Sequence, residues 1–189
     1  MSEKLGTKIE QLRESLGLTR GDLAEAAGIE ESQITMIEND EVSPAISTLI
    51  KISRRMGVRL GTLLDGTEAG DPVVTSAEAM TPTVNTTKPG GSHHLDFFSL
   101  AGQKLDRNME PFFISIRHAD CRNKKNWSTH EGEEFIYVLE GAIKVSYGKE
   151  TYTVNAGQSI YYDSIVPHCV GSVDENTPAK AIAVTYTPN

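Results

Sequence analysis

The sequence predicts a two-domain α + β chain, an N-terminal bundle of five short helices followed by an antiparallel β-barrel of the sandwich or jelly-roll kind. Three observations carry that prediction. Apolar residues recur at helical spacing through the first third of the chain, a stretch rich in Thr, Ala, Gly and Pro follows, and beyond Ser92 the apolar period falls to two. Length agrees, since 189 residues suit two small domains. The expected boundaries are 1–66 for the bundle, 67–91 for a linker and 92–189 for the barrel.

In the bundle, Ile9, Leu12 and Leu16 mark a helix from Lys8 that Gly17 closes. Thr19 to Glu38 reads as a helix-turn-helix. Leu23, Ala24 and Ala27 give its first helix a buried stripe, and Ile34 with Ile37 does the same for its second. Thr19 is an N-cap candidate, because its hydroxyl can accept from an unpaired amide of the opening turn. Gly28 stands where the chain must turn sharply and can take positive φ. Ser32, Gln33, Thr35, Met36 and Asn39 are left facing outward or along the edge. Ser43 and Pro44 signal the start of the next helix, with Ile46, Leu49, Ile50 and Met56 inside and Gly57 at its end. A last short helix carries Leu60, Leu63 and Leu64 until Asp65 and Gly66 stop it.

Composition excludes several classes. No apolar run approaches the roughly 20 residues of a membrane span, and the first residues are too charged for a signal peptide, so a cytosolic chain without membrane attachment is expected. Cys121 and Cys169 form no CxxC, which argues against a disulfide framework or a zinc-thiolate site. The net charge is −8, unusual for a chain that meets nucleic acid, because phosphate neutralisation supplies most of that affinity. Residues 1–66 hold eight basic against eleven acidic side chains. Arg20, Lys51, Arg54, Arg55 and Arg59 are their only candidates for a basic patch.

The segments LTRGDLAEAAGI, ITMIEND and STLIKISRRMGV resemble the phage-repressor-like, or XRE, family of helix-turn-helix domains in order, spacing and apolar pattern. The resemblance implies a double-stranded DNA partner met by Arg20, Ser32, Gln33, Thr35, Met36 and Asn39. Arg20 departs from the usual Gln at the head of the first motif helix. The family also pairs an Arg of the first helix with a Glu near the end of the groove-facing helix, and Arg13 and Glu38 occupy those places. Glu30 and Glu31 suit a helix N-terminus but repel phosphate.

In the second half, strands are expected at Leu95 to Leu100, Pro111 to His118, Glu134 to Leu139, Ala142 to Tyr147, Glu150 to Val154, Gln158 to Tyr162, His168 to Ser172 and Lys180 to Tyr186. Glu140–Gly141, Gly148–Lys149 and Asn155 to Gly157 are hairpin signals between them. The linker has room for part of its length to lie along the barrel as an edge strand.

HEGEEFIYVLEG, from His130, and GQSIYYDSIVPHCV, from Gly157, resemble the two sequence motifs of the cupin superfamily, a conical β-barrel that holds a metal, a small molecule or both. By position, His130, Glu134 and His168 match three of the usual four metal ligands, and Ser128 stands in the place of the fourth. Two imidazoles and a carboxylate suit a divalent transition metal with open positions. The residues expected around an effector are Arg117, Ser128, His130, Glu134, Tyr162 and His168, with Tyr137 and Cys169 as further polar candidates. His93, His94 and His118 are expected at the surface or rim, and the charged loop from Asp120 to Lys125 over the mouth.

A helix-turn-helix followed by a cupin implies a homodimeric one-component transcriptional regulator whose DNA affinity responds to a small effector or metal. The rival from another class is a metal-dependent cupin oxygenase or isomerase whose bundle only targets or dimerises it. Ser128 in place of a ligand argues against that rival.

Overall fold

The computed structural model describes residues 4–64, 72–80, 82–85, 94–104 and 107–187. Helix α1 (Leu5–Ser15) begins three residues before Lys8. The reason is tertiary: the Gly6 amide donates to Asp40 Oδ1 at 2.9 Å, an acceptor that lies 34 residues away. Helix α2 (Arg20–Ala27) opens on the predicted cap, where the Asp22 amide donates to Thr19 Oγ1 at 3.1 Å and the Thr19 amide donates to Asp22 Oδ2 at 2.7 Å. Gly28 takes φ +68° and leads to α3 (Glu31–Glu38). Helix α4 (Ile46–Arg55) starts two residues beyond Pro44, because Ala45 remains extended as its N-cap, and α5 (Leu60–Leu64) completes the five. The predicted stop at Asp65 and Gly66 lies outside the described residues.

Ile9, Leu23, Ile34, Leu49, Ile52 and Leu60 form the centre of the bundle with almost no exposed surface. Leu16, predicted to join them, caps the end of α1 and is exposed. Under α3 lies the ion pair the family pattern implied, with Arg13 Nε donating to Glu38 Oε1 at 2.6 Å. Both side chains are buried.

Among the described residues the second domain has nine strands, one more than the sequence predicted. They are β1 (Pro82–Asn85), β2 (Leu95–Ser99), β3 (Met109–Ile116), β4 (Glu133–Glu140), β5 (Ala142–Tyr147), β6 (Glu150–Asn155), β7 (Ser159–Asp163), β8 (His168–Ser172) and β9 (Ala179–Tyr186). The additional strand β1 comes from the stretch expected as linker and pairs with β2 at the sheet edge. All pairings are antiparallel, in a six-stranded sheet of order β1-β2-β3-β9-β4-β7 and a three-stranded sheet of order β6-β5-β8. This is a jelly-roll-like sandwich of two antiparallel sheets.

Strand β9 explains why the sandwich is hollow. Its inward positions are Ala179, Ala181, Ala183 and Thr185, all buried and all small. They are paired in register with Ile116, Ile114 and Phe112 of β3 on one side and with Val138, Ile136 and Glu134 of β4 on the other. Large residues on the flanking strands thus face a row of methyl groups, which leaves space between the sheets.

Cys121 and Cys169 form a disulfide, contrary to the sequence expectation. Ser128 and His168 form an antiparallel bridge, so residues before 128 run alongside those after 168 and the two cysteines meet across 48 residues. No helix among the described residues is long and apolar enough to cross a membrane.

The bundle rests on the mouth of the sandwich. Arg54 of α4 forms an ion pair with Glu131, and Gly61 of α5 lies so close to Glu110 that a Cβ there would come within 2.8 Å of its carboxylate. Glu110 is itself buried against Arg107, with Nε–Oε2 at 2.7 Å.

Candidate functional site

At the mouth of the sandwich, His130, Glu134 and His168 converge, with one ligand atom from each lying within 4.8 Å of the others. Each arrives by a different route. His130 precedes β4 in an irregular turn anchored by its amide on the Ser164 carbonyl at 3.1 Å. Glu134 is the second residue of β4, and His168 opens β8. The intervening Gly132 takes φ +99°, and a Cβ there would lie 2.0 Å from the Tyr186 carbonyl. Only glycine lets the turn pass this close to the end of β9 and return Glu134 to the site.

The ring orientations decide the chemistry. His130 Nδ1 lies 3.0 Å from the Glu131 carbonyl and His168 Nδ1 lies 3.0 Å from the Val166 carbonyl. Because a carbonyl only accepts, each Nδ1 carries the proton and each Nε2 points inward. His130 Nε2 is 2.7 Å from Glu134 Oε1, and His168 Nε2 is 3.8 Å from the same oxygen. A ring lone pair and a carboxylate oxygen at that separation need a cation between them, either a proton or a metal ion. The donor set therefore fits a divalent metal.

Glu134 is held ionised. Burial works to raise its carboxyl, but the hydrogen bond from His130, the charge of His168 and His130, and the Tyr162 hydroxyl outweigh that and hold it at about 2. Tyr162 Oη donates to Glu134 Oε2 at 2.5 Å. Burial and the Glu134 charge push the phenol well above its ordinary value, so it remains a donor. Strand register places the pair, because Glu134 lies opposite Tyr162 on β7 and opposite Thr185 on β9.

The triad borders a cavity of about 70 Å³. The barrel contributes Ser128, Thr185 and an apolar wall that includes Phe97, Ile114 and Ile136, while the bundle contributes Ala45, Ile46 and Ser47 at the start of α4. Ser128 borders the cavity as expected of an effector residue, and Tyr162 meets it only through Glu134. Arg117 does not border it. Strand β3 ends at Ile116, and Arg117 turns outward to pair with Asp96 at 2.8 Å. His94 corrects the expectation in the other direction, since it is buried and lines the cavity. His118 is exposed and bonded to the Ser172 carbonyl, Tyr137 is exposed, and Cys169 borders the cavity through its disulfide. His93 lies outside the described residues. The predicted loop reaches the mouth at its last residue, Lys125, with Asn126 just beyond it.

Thr185, Ala45 and Ser47 carried no signal in the sequence, and Ile46 was legible only as a core residue of its helix. Gly132 could have been found, as the glycine between two candidate ligands in HEGEE.

On the bundle, Ser32, Met36 and Asn39 are exposed, and Gln33 and Thr35 are half-buried. Asn39 Nδ2 donates to Glu41 at 3.0 Å, and Gln33 Oε1 accepts from the Glu30 amide at 3.2 Å. Gln33 and Met36 also border an open groove that Lys125 of the barrel borders too. Arg20, expected at a phosphate, is half-exposed and already paired within the bundle, with Nε donating to Glu38 Oε2 at 2.6 Å and a terminal nitrogen donating to Glu10 at 3.0 Å. The rest of the basic patch is partly spent as well, Arg54 on Glu131 and Arg55 on Asp22.

Comparison with known proteins agrees with both halves. Residues 9–63 match the family model described as helix-turn-helix, and residues 122–185 match that of the cupin domain. The HTH-type transcriptional regulator PuuR of Escherichia coli is 28% identical over 165 residues, covering 86% of this chain and 84% of PuuR. A crystal structure of an HTH_3 family transcriptional regulator from Vibrio cholerae aligns at TM-score 0.70 with 24% identity, over 98% of this chain and 96% of that one. The (S)-2-hydroxypropylphosphonic acid epoxidase of Streptomyces wedmorensis is 24% identical, covering 92% of this chain and 91% of the enzyme.

Proposed function

We infer, from the premise that this chain belongs to the helix-turn-helix regulators that carry a C-terminal cupin domain, that it is a DNA-binding transcriptional regulator whose affinity for DNA is set by what occupies the cupin cavity. The observation that carries this reading is the seating of the bundle on the cavity, so that α4 borders the same space as His130, Glu134 and His168. A ligand there touches the DNA-binding domain directly. A differential affinity of about 1–3 kcal/mol for two placements of the bundle changes DNA affinity by roughly one to two orders of magnitude.

In this reading α3 enters the major groove with Ser32, Gln33, Thr35, Met36 and Asn39 on its reading side. Two copies of the chain address a palindrome with half-sites about one helical turn apart. Residues 1–66 act as the DNA-binding unit, 67–91 as the connection with β1 as its docked part, and 92–189 as the sensor in the cytosol. His130, Glu134 and His168 hold one divalent transition metal. The cation supplies a Lewis-acidic anchor, while the chain's own side chains orient and select the effector.

The test is binding to the DNA upstream of the chain's own coding sequence across a salt series. A shift at low salt that weakens as salt rises is expected. No shift at any salt overturns the reading.

The triad and the likeness to the Streptomyces epoxidase favour a second reading, a metal-dependent cupin enzyme. It requires turnover. Elemental analysis of protein purified without added metal, followed by assay of any iron- or manganese-containing fraction, separates the two.

A further inference from the structure

The groove that Gln33 and Met36 border, about 650 Å³ in volume, lies between α3, α4 and the barrel loop that ends at Lys125. Its charged residues are Lys51 of α4 and Lys125, and no described Asp or Glu lines it. In a chain of net charge −8 this is a local reversal of sign. Neither lysine forms an ion pair among the described residues, whereas Arg20, Arg54 and Arg55 are engaged by Glu38, Glu131 and Asp22. Lys51 and Lys125 thus stand out as cations beside α3 whose charge nothing nearby cancels.

The loop fixes where Lys125 stands. A turn of 3-10 helix covers Lys124–Asn126, the Asn123 side chain accepts from the Lys125 amide at 3.1 Å, and Asn126 Nδ2 donates to the Asp120 carbonyl at 3.0 Å. The Trp127 indole closes the loop on the Cys121 carbonyl at 2.6 Å, and Cys121 is bonded to Cys169. A loop already ordered loses less entropy when it makes a contact. A helix with its side chains is about 10–12 Å across and the major groove of DNA is about 12 Å wide, so a helix seated there has a phosphate strand close on either flank. The groove beside Gln33 and Met36 lies on one flank of α3, and its two lysines supply the positive charge that a phosphate strand requires.

Resting on the reading above that α3 meets DNA, we propose that the barrel loop is itself part of the DNA interface, with Lys125 and, across the groove, Lys51 holding the phosphate strand that flanks α3. Phosphate contacts fix register and affinity and carry no sequence information, so this pair positions the duplex while α3 reads the bases. Lys125 also borders the cavity beside His130, Glu134 and His168. What occupies that cavity therefore meets the same side chain that faces the phosphates.

The experiment is gel-shift titration of the full-length protein, across a salt series, on the duplex upstream of its own coding sequence and on a scrambled duplex of equal length. Lys125→Gln and Lys51→Gln are each expected to weaken binding to both duplexes alike, about three- to tenfold at ~0.1 M salt, and to lower the slope of log K against log salt by about 0.9. The double variant should lower it by about 1.8. Lys124→Gln makes the same change of charge one residue away, on a side chain that lies 3.7 Å over the Trp127 ring and does not border the groove, and should leave the slope unaltered. The proposal is overturned if Lys125→Gln or Lys51→Gln keeps the parent slope, or if Lys124→Gln lowers it as much as they do. Tighter binding by Lys125→Gln also overturns it, since the loop would then be a cover over α3. A parent that shifts DNA while Lys125→Gln keeps its slope sinks this proposal alone, whereas a parent that shifts neither duplex at any salt sinks the regulatory reading on which it rests.

Discussion

Arg20 donates its Nε to Glu38 at 2.6 Å, so the half-exposed cation at the head of α2 is paired with a buried carboxylate. Glu38 has no exposed side-chain surface and receives Arg13 on its other oxygen at 2.6 Å. One buried carboxylate thus ties α1, α2 and α3 together.

Glu38→Gln is expected to destabilise the bundle by about 3–5 kcal/mol, because it takes from the buried Arg13 guanidinium its only buried counter-charge among the described residues and leaves it the more exposed Glu10 and Glu14. Urea unfolding followed by circular dichroism checks this, and a loss below about 1 kcal/mol contradicts it. Arg20→Gln should leave the salt dependence of DNA binding unaltered. A slope lower by about one unit would instead assign Arg20 to a phosphate.

Gln33→Ala should weaken specific DNA binding by about 1–3 kcal/mol while leaving non-specific binding and the fold intact. Its side-chain carbonyl caps α3, and its amide nitrogen is left to donate to a base. Equal loss on specific and random DNA would assign Gln33 to the helix cap alone.

Tyr162→Phe removes the hydroxyl that orients Glu134 and should cost about 10–100-fold in metal affinity, read by competition with a chelator. His130→Ala removes a ligand outright and should abolish stoichiometric metal. Retention of metal by His130→Ala would move the site elsewhere.

The depressed Glu134 carboxyl makes metal-free stability depend on pH. Its folded value of about 2 lies below the usual 4.5, so the unfolded chain binds the proton first on acidification. Glu134 therefore contributes stability that is complete above pH 4.5 and is lost as pH falls through its folded value near 2. The loss is on the order of 3 kcal/mol. Denaturant unfolding of the metal-free protein between pH 6 and pH 2.5 should fall more steeply for the parent than for Glu134→Gln. Parallel curves would contradict the assignment.

Reduction of Cys121–Cys169 opens a loop of 48 residues and should lower stability by about 2–4 kcal/mol. The loop carries the Trp127 indole, which donates to the Cys121 carbonyl at 2.6 Å. Reduction should therefore also change its fluorescence, and unchanged emission and stability would argue against the bond.

The bundle was readable because its signals are local. Thr19 caps, Gly28 turns, and Ile34 and Ile37 repeat at helical spacing within one short stretch. The convergence of His130, Glu134 and His168 was readable for a related reason, since His130 and Glu134 stand four apart in one segment and His168 follows at a recognisable spacing. Arg117 failed because alternation fixes a face only while a strand lasts, and β3 ends one residue earlier. The cysteines failed because spacing within a sequence says nothing of two segments laid side by side by the Ser128–His168 bridge.

By itself, the sequence determined a five-helix head, a β-rich second domain and the candidate triad of His130, Glu134 and His168, since each depends on periodicity and on neighbours within a few residues. Tertiary structure alone decided that Arg20 pairs with Glu38, that alanines on β9 leave the sandwich hollow, and that α4 forms a wall of the cavity. Those outcomes rest on contacts between residues tens of positions apart, where burial and hydrogen-bond satisfaction are settled only once the whole chain has packed.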